Sequence, residues 1–256
     1  MAILNLTPDS FSDGGLYCSS EAAVRHARQV EREGADLLDI GAESTRPGAV
    51  QVSVEEEWER LAPVLKVLQE DYVLPISVDT RHGEVARRAL EFPIEIINDV
   101  SCAQDRNLLR AVAESGAAYV LMHSRGEPAT MMERALYQDV VDEIKNELQA
   151  GLRRALDAGI VRDKICLDPG FGFAKTPEQN WILFERIESI LELGFPLMVG
   201  ISRKRMLRER FGDNFEILDS ASAKLAAEAV KRGAQVLRVH QVALTRISLD
   251  SGPRSR

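Results

Sequence analysis

The chain has 256 residues, 45% of them hydrophobic and 28% charged, with a formal net charge of −8. That is enough chain for one large α/β domain or two small ones, and its acidic balance argues against the broad basic face that nucleic acid requires. No apolar run approaches the roughly 18 residues of a membrane helix, and Met1-Ala2-Ile3-Leu4-Asn5 offers neither a basic stretch nor a cleavage site, so a cytoplasmic protein without membrane contact is expected.

The run 3–6 predicts a first strand. The run 37–41, "LLDIG", predicts a second, after a helical stretch closed by Gly34. Leu61, Val64, Leu65 and Leu68 then keep helical spacing, and Ser53 with Glu56 has the spacing of a capping box. Strands follow at 75–79, 95–100 and 119–123, with Gly116 closing the helix before the last of these. A helix over 139–158 ends at Gly159, and the run 165–168 is the next strand. Thr176-Pro177-Glu178-Gln179 combines an N-cap, a proline at N1 and a glutamine at N3. A strand at 197–201, a helix over 220–232 closed by Gly233 and a strand at 236–240 complete the series. Val242, Leu244, Ile247 and Leu249 support a short last helix.

Each apolar run is four to eight residues long and does not plainly alternate, as strands buried on both faces read. Eight strand–helix units in a chain of this length predict a (β/α)8 barrel. The structural rival is an open doubly wound sheet, but no Gly-x-Gly-x-x-Gly is present and no linker divides the chain. One domain over 1–250 and a flexible tail over 251–256 are expected. The cysteines Cys18, Cys102 and Cys166 show no C-x-x-C spacing, and their odd number fits a reducing compartment.

In a barrel the C-terminal strand ends converge on one mouth. Asn5, Asp39, Asp79, Asn98, His123, Asp168, Ser202, Lys204, Arg238 and His240 would meet there. Any one of the acids or amides also reads as a helix cap, which does not explain Lys204, Arg238 and His240. Asp79, Asn98 and Asp168 together suit a flat heterocycle rich in N–H groups. A metal held by these carboxylates is the other reading, though no histidine–carboxylate metal motif accompanies them. Arg46, Lys204, Arg238 and His240 supply positive charge for an anion. Asn5 and Asp9 lie where Mg²⁺ bridging a diphosphate would need oxygen ligands. His123 and Arg203 also read as local scaffold, Phe173 as filling for the mouth, Asp9 as a turn former and Arg238 as an arginine that closes the barrel through a carboxylate. Met122, Met131 and Met132 read as packing, and Trp58 and Trp181 as anchors between helix and barrel.

The segments "ILNLTPDSFSDGG" (3–15), "DIGAESTRPGA" (39–49), "SVDT" (77–80), "INDVS" (97–101), "LMHSRGEPATM" (121–131), "LDPGFGFAKTPEQN" (167–180), "VGISRKR" (199–205) and "LRVH" (237–240) follow one another along nearly the whole chain. Together they closely resemble dihydropteroate synthase, the sulfonamide target of folate biosynthesis. The resemblance implies a (β/α)8 barrel, usually a homodimer. It also implies a transferase that joins p-aminobenzoate to 6-hydroxymethyl-7,8-dihydropterin diphosphate and releases diphosphate in an SN1-like substitution. By motif, Asp79, Asn98, Asp168 and Lys204 resemble the pterin-pocket residues, and Arg46, Arg238 and His240 the diphosphate-binding ones. Asn5 is similar to the loop residue associated with Mg²⁺. Thr45, Pro47, Phe173 and the segment 202–205, which includes Ser202 and Arg205, resemble the p-aminobenzoate wall. Asn5, Asp79, Lys204, Arg238 and His240 are the expected catalytic set. The loops 6–19 and 41–51 resemble two mobile loops that close over the site.

The chain departs from the family pattern at Ala42, Ala174 and Gln241, where glycine, glycine and aspartate are usual, and in "DSASAK" where a Ser-Gly-Ser pattern is common. If position 174 needs a positive φ, alanine costs about 1 kcal/mol there. Many members carry a strand or hairpin before the first barrel strand, so a less covered barrel bottom is expected. Two other readings stand beside the synthase: a related pterin-binding methyltransferase, which would need neither "SRK" nor the "RVH" ending, and a pterin-binding paralogue without catalysis.

Overall fold

Parallel neighbours need a crossover of a dozen or more residues, so a chain of short buried runs separated by amphipathic stretches folds as a strand and helix alternation. The structure, a computed structural model, describes residues 1–7, 16–44 and 48–250. β1 (Ala2–Asn5), α1 (Leu16–Arg32), β2 (Leu38–Gly41), α2 (Val54–Asp71), β3 (Ile76–Thr80), α3 (Gly83–Ala89) and β4 (Ile96–Asp99) form the first half. α4 (Arg106–Ser115), β5 (Ala118–Met122), α5 (Val140–Asp157), β6 (Ile165–Asp168), α6 (Pro177–Glu185) and α7 (Glu188–Leu191) follow. β7 (Met198–Val199), α8 (Arg205–Phe211), α9 (Phe215–Lys231), β8 (Val236–Leu237) and α10 (Val242–Asp250) complete the chain. No helix among the described residues is long and apolar enough to cross a membrane.

β1 to β6 form one parallel sheet in sequence order, and β7 pairs with β8. Single bridges, Leu167 to Leu197 and Ala2 to Val239, join the two pieces. The ring is therefore closed, as the strand–helix count predicts. At the seam Ile3 N donates to Val239 O at 3.0 Å and Val239 N to Met1 O at 3.0 Å. Alternation along the strands sorts the inward side chains into layers drawn from alternate strands. Near the bottom, Met1, Val120 and Met198 pack with Leu37, Ile96, Cys166 and Val236. These side chains fill the lower end of the barrel interior. Above them comes a polar layer from the even strands: Asp39, Asn98, Asp168 and, just past β8, Arg238. The outward faces join α1 to α9 in the main apolar core.

Local signals explain most boundaries. The Thr176 and Gln179 capping box is complete. Ser53 accepts from Glu56 N at 3.2 Å, but the Glu56 carboxylate pairs with Arg60 instead of reaching back, so only half of that box forms. α9 begins five residues before the predicted 220, because Asn214 accepts from Glu216 N and Ile217 N and so starts the helix there. α10 is short, at nine residues. Trp58 and Trp181 are partly buried against the core, as anchors should be.

Ala174 does take the left-handed conformation, with φ of 48°, and its side chain is fully buried. Replacing it by glycine relieves about 1 kcal/mol of backbone strain. Ala174→Gly should raise the thermal midpoint by about 2 °C in a calorimetric melt, and a lowered midpoint would show that the alanine methyl contributes more through packing than it costs in strain.

Candidate active site

The polar layer is organised around Asp39. Its Oδ1 accepts from Ser77 Oγ at 2.6 Å, and its Oδ2 from Asn98 Nδ2 at 3.2 Å and Arg238 Nε at 2.6 Å. The same guanidinium donates from Nη2 to Asp79 Oδ2 at 2.7 Å. Two buried carboxylates thus share one partly buried guanidinium. Burial pushes the Asp79 carboxyl up to about 7; Arg238 opposes the shift and the Asp39 charge adds to it. Burial also works against the Arg238 charge, yet Asp39 and Asp79 hold its pKa above the usual guanidinium value.

Asn98 has its amide nitrogen turned to Asp39, which can only accept while ionised. Its Oδ1 is buried and has no hydrogen-bond partner. That oxygen belongs to a residue lining a narrow cavity of about 10 Å³, with Asp79, Asp168, Met122, Phe173 and Lys204 among the walls. An unmade bond at a buried acceptor costs about 1–3 kcal/mol, and a ligand N–H placed in the cavity would remove that cost.

The wall between β6 and α6 is a glycine loop. Gly170 N donates to Asp168 Oδ1 at 2.7 Å. A Cβ on Gly170 would sit 1.9 Å from His123 O, and one on Gly172 would sit 2.9 Å from Lys204 Cδ. Both glycines also have positive φ, so the loop needs them for conformation and for close approach. The Lys204 Nζ lies 4.5 Å from the centre of the Phe173 ring.

Under this loop, Lys175 is buried and folds back. Its Nζ donates to Gly170 O at 2.9 Å and Phe173 O at 2.9 Å, and lies 3.0 Å from His123 Nδ1. An ammonium has three N–H donors, and all three find acceptors if His123 carries its proton on Nε2. That nitrogen lies 3.0 Å from Glu147 Oε2, which an Nε2–H satisfies. Burial, and then the Lys175 charge, pull His123 down to about 4, which keeps it neutral. Burial also lowers Lys175 to about 7, against the attraction of Asp168.

At the rim, His240 Nδ1 lies 3.0 Å from Ser202 Oγ, which joins the loop after β7 to the end of β8. A floor of buried acceptors, a flat aromatic wall and a cationic rim fit a nitrogen heterocycle that carries an anionic arm. Residues 1–240 match the family described as "Pterin binding enzyme". The chain belongs to that family, among the dihydropteroate synthases.

It is 43% identical over 245 residues to the dihydropteroate synthase of Streptococcus pyogenes serotype M3, covering 94% of this chain and 90% of the relative. Its structure is similar to the Xanthomonas albilineans dihydropteroate synthase with 4-aminobenzoic acid, at 43% identity and a TM-score of 0.91, over 98% of this chain and 90% of that one. The Xanthomonas albilineans enzyme in complex with 7,8-dihydropteroate gives 41% identity and a TM-score of 0.88, again over 98% of this chain and 90% of that one.

Of the positions that the dihydropteroate synthase motifs single out, Asp79, Asn98, Asp168, Phe173, Lys204 and Arg238 line one cavity. Ser202 and His240 pair at the rim. Arg205 is exposed and pairs with Glu209 along α8. Asn5 ends β1 beside Gly41, half-buried. Thr45, Arg46 and Pro47 lie outside the described residues, as does Asp9. Arg238 faces inward to two acids, as its other reading, an arginine closing the barrel through a carboxylate, had it. Asp39 was expected at the mouth, without a partner assigned to it; Ser77 and Lys175 were not expected in the site. "LLDIG" ends like "SVDT" and so signals Asp39, but nothing local to "GFAKT" shows that the lysine turns inward. His123 is scaffold, as one of its readings had it. A larger hollow of about 440 Å³ adjoins across Val100 and Phe173; there Arg81 is committed to Glu127, and Arg125 to Glu143 and Glu147.

Lys175 has a testable signature. Its folded pKa lies below the unfolded value, so between about pH 7 and pH 10 the unfolded chain holds a proton that the folded chain has released. Stability from this group therefore rises with pH across that window, by up to about 1.4 kcal/mol per pH unit. Urea unfolding of Lys175→Met from pH 7 to pH 10 should lack that rise; an unchanged slope would mean that Lys175 keeps its proton throughout.

Proposed function

We propose that the chain condenses 6-hydroxymethyl-7,8-dihydropterin diphosphate with p-aminobenzoate, giving 7,8-dihydropteroate and diphosphate. The observation that carries this reading is the unpaired, buried Asn98 Oδ1 in a cavity that Asp79 and Asp168 also line. The pterin ring is flat and presents several N–H donors. Asn98, Asp168 and Asp79 accept from it, while Phe173 and Lys204 form the wall beside the reacting carbon.

The charges then arrange the substitution. As the bond from carbon to diphosphate oxygen lengthens, positive charge develops on the pterin methylene. Asp39, Asp79 and Asp168 face that charge from the floor and favour it. His240, oriented by Ser202, and Arg46 receive the departing anion. The aryl amine of p-aminobenzoate is neutral near pH 7 and needs only alignment, for which Thr45, Pro47, Phe173 and Arg205 are the proposed wall. No side-chain nucleophile is required.

Mg²⁺ fits the donor chemistry at Asn5. A single uncharged carboxamide oxygen at the mouth suits an ion that keeps several waters and takes diphosphate oxygens as its other ligands. When bound, it would neutralise charge developing on the leaving group. A homodimer is proposed through the last helices, where Phe215, Ile217 and Val230 of α9 and Ile247 and Leu249 of α10 are exposed.

The first test is to mix the purified chain with both substrates and Mg²⁺ and to follow dihydropteroate and diphosphate by mass spectrometry. Equal amounts of the two products are expected, and pterin binding without product would point to a paralogue that has lost catalysis. Asp79→Ala should weaken pterin binding about tenfold or more in calorimetry; undiminished affinity would remove Asp79 from the contact set. Arg238→Ala leaves Asp39 and Asp79 facing each other at a cost of about 3–5 kcal/mol, so His240→Ala is the cleaner probe of the anion end. It should weaken the diphosphate substrate more than free hydroxymethylpterin, and equal losses would count against His240 as an anion ligand.

A further inference from the structure

A second group of ligating side chains stands outside the pterin cavity. Glu43 lies in the connection from β2 to α2, Glu57 in the first turn of α2 and His82 at the N-cap of α3. One donor atom from each falls within 4.8 Å of the others. His82 Nδ1 is 2.6 Å from Glu57 Oε2. Glu43 Oε1 accepts a long bond from Val52 N at 3.4 Å. Three segments distant in sequence thus bring two carboxylates and one imidazole together.

The charges of this cluster do not balance. Two carboxylates face one imidazole, so a protonated His82 still leaves an excess negative charge. The nearby arginines are committed elsewhere: Arg60 to Glu56 and the Ala42 carbonyl, Arg88 to Glu55 and Glu84, and Arg81 to Glu127. Burial, and then the charge of Glu57, push the Glu43 carboxyl up. Independently of charge, the Glu57 carboxylate has no exposed surface and its Oε1 has no hydrogen-bond partner. Helix capping does not explain this oxygen, because Ser53 caps α2. A buried acceptor left unmade beside an imidazole and a second carboxylate is what a cation site looks like without its cation.

We propose that Glu43, Glu57 and His82 bind a divalent transition-metal ion, with Zn²⁺ preferred. A set of two oxygens and one imidazole nitrogen is a transition-metal set; Mg²⁺ would favour oxygen alone. The ion takes the place of the proton on His82 Nδ1, which is released to solvent, and gives Glu57 Oε1 a partner. The Nε2–H of His82 then points to the Gln51 side chain, whose amide nitrogen lies 3.5 Å away. Exchanging the two ends of that amide puts its oxygen there as an acceptor and completes the support a ligating histidine needs. Three protein ligands leave a fourth position for water on the solvent side, where Gln51 is exposed. The ion would tie the segment that carries Arg46 to α2 and α3. This site is separate from Asn5 and does not depend on the proposed reaction.

The test is calorimetry of the full chain, stripped with chelator and titrated with zinc chloride in buffer without diphosphate. One equivalent should bind to the native chain and to Asn5→Ala alike. His82→Ala and Glu43→Gln, each checked for folding by circular dichroism, should weaken it about tenfold or more. If either variant fails to fold, the native chain loaded with one equivalent of Mn²⁺ should show histidine nitrogen coupling in pulsed electron paramagnetic resonance. No stoichiometric zinc binding, equal affinity in the folded variants, or Mn²⁺ without nitrogen coupling would overturn the site.

Discussion

The Arg238 guanidinium, held between the Asp39 and Asp79 carboxylates, ties the end of the last strand to the second and third strands. Few backbone bonds close the barrel at this seam, so the side-chain clamp matters to the closed ring. It matters equally to the site. Without the cation, two carboxylates would repel each other at low dielectric. With it, Asp39 directs its remaining acceptor capacity to Ser77 and Asn98, and Asn98 is left with its oxygen unpaired. The unpaired buried acceptor thus follows from the feature that holds the acids together. The same carboxylates stand in the floor where a carbocation-like centre would form.

The glycine loop after β6 shows a second instance of buried charge giving shape. Gly170 and Gly172 approach the backbone of His123 and the stem of Lys204 too closely for a Cβ. A loop with so little side chain has little to pack, and Lys175 supplies what packing cannot. Its three donors meet two loop carbonyls and His123, and His123 passes the constraint to Glu147 on α5. Phe173 is therefore held from below through its carbonyl and from the side by Lys204. Such preorganisation suits a reaction in which alignment of a neutral amine, rather than activation of a nucleophile, is the main demand.

The departures from the family pattern are absorbed locally. His240 takes its orientation from Ser202, so glutamine at 241 removes no contact that this histidine makes there; the Gln241 carbonyl accepts from Thr245. In "DSASAK", Ser222 accepts from Arg203 N and donates to Leu218 O, while Asp219 holds the Arg203 guanidinium. Arg203 has a positive φ, and these two contacts steady it next to Lys204. Ala42 is buried in the core. Ala174 alone retains a visible cost, in its backbone conformation.

The sequence by itself determined the (β/α)8 ring, the positions of its strands and the family. Each rests on local regularities: apolar runs of strand length, helical spacing, C-cap glycines such as Gly116, and motifs read in order. It also brought Asp79, Asn98, Asp168, Phe173, Lys204 and His240 to one mouth, because strand ends in a barrel converge whatever their separation along the chain. Only the tertiary structure decided which partner each group takes. Arg238 reads as an anion ligand or as a closure of the barrel until Asp39 and Asp79 are placed around it, about 200 and 160 residues away in the chain. Nothing local to "GFAKT" turns Lys175 inward before the loop folds over it. No motif in the sequence marks Glu43, Glu57 and His82 as neighbours. Hydrogen bonds and buried charges are set by distances of a few ångströms between remote segments, and those distances exist only once the barrel has closed.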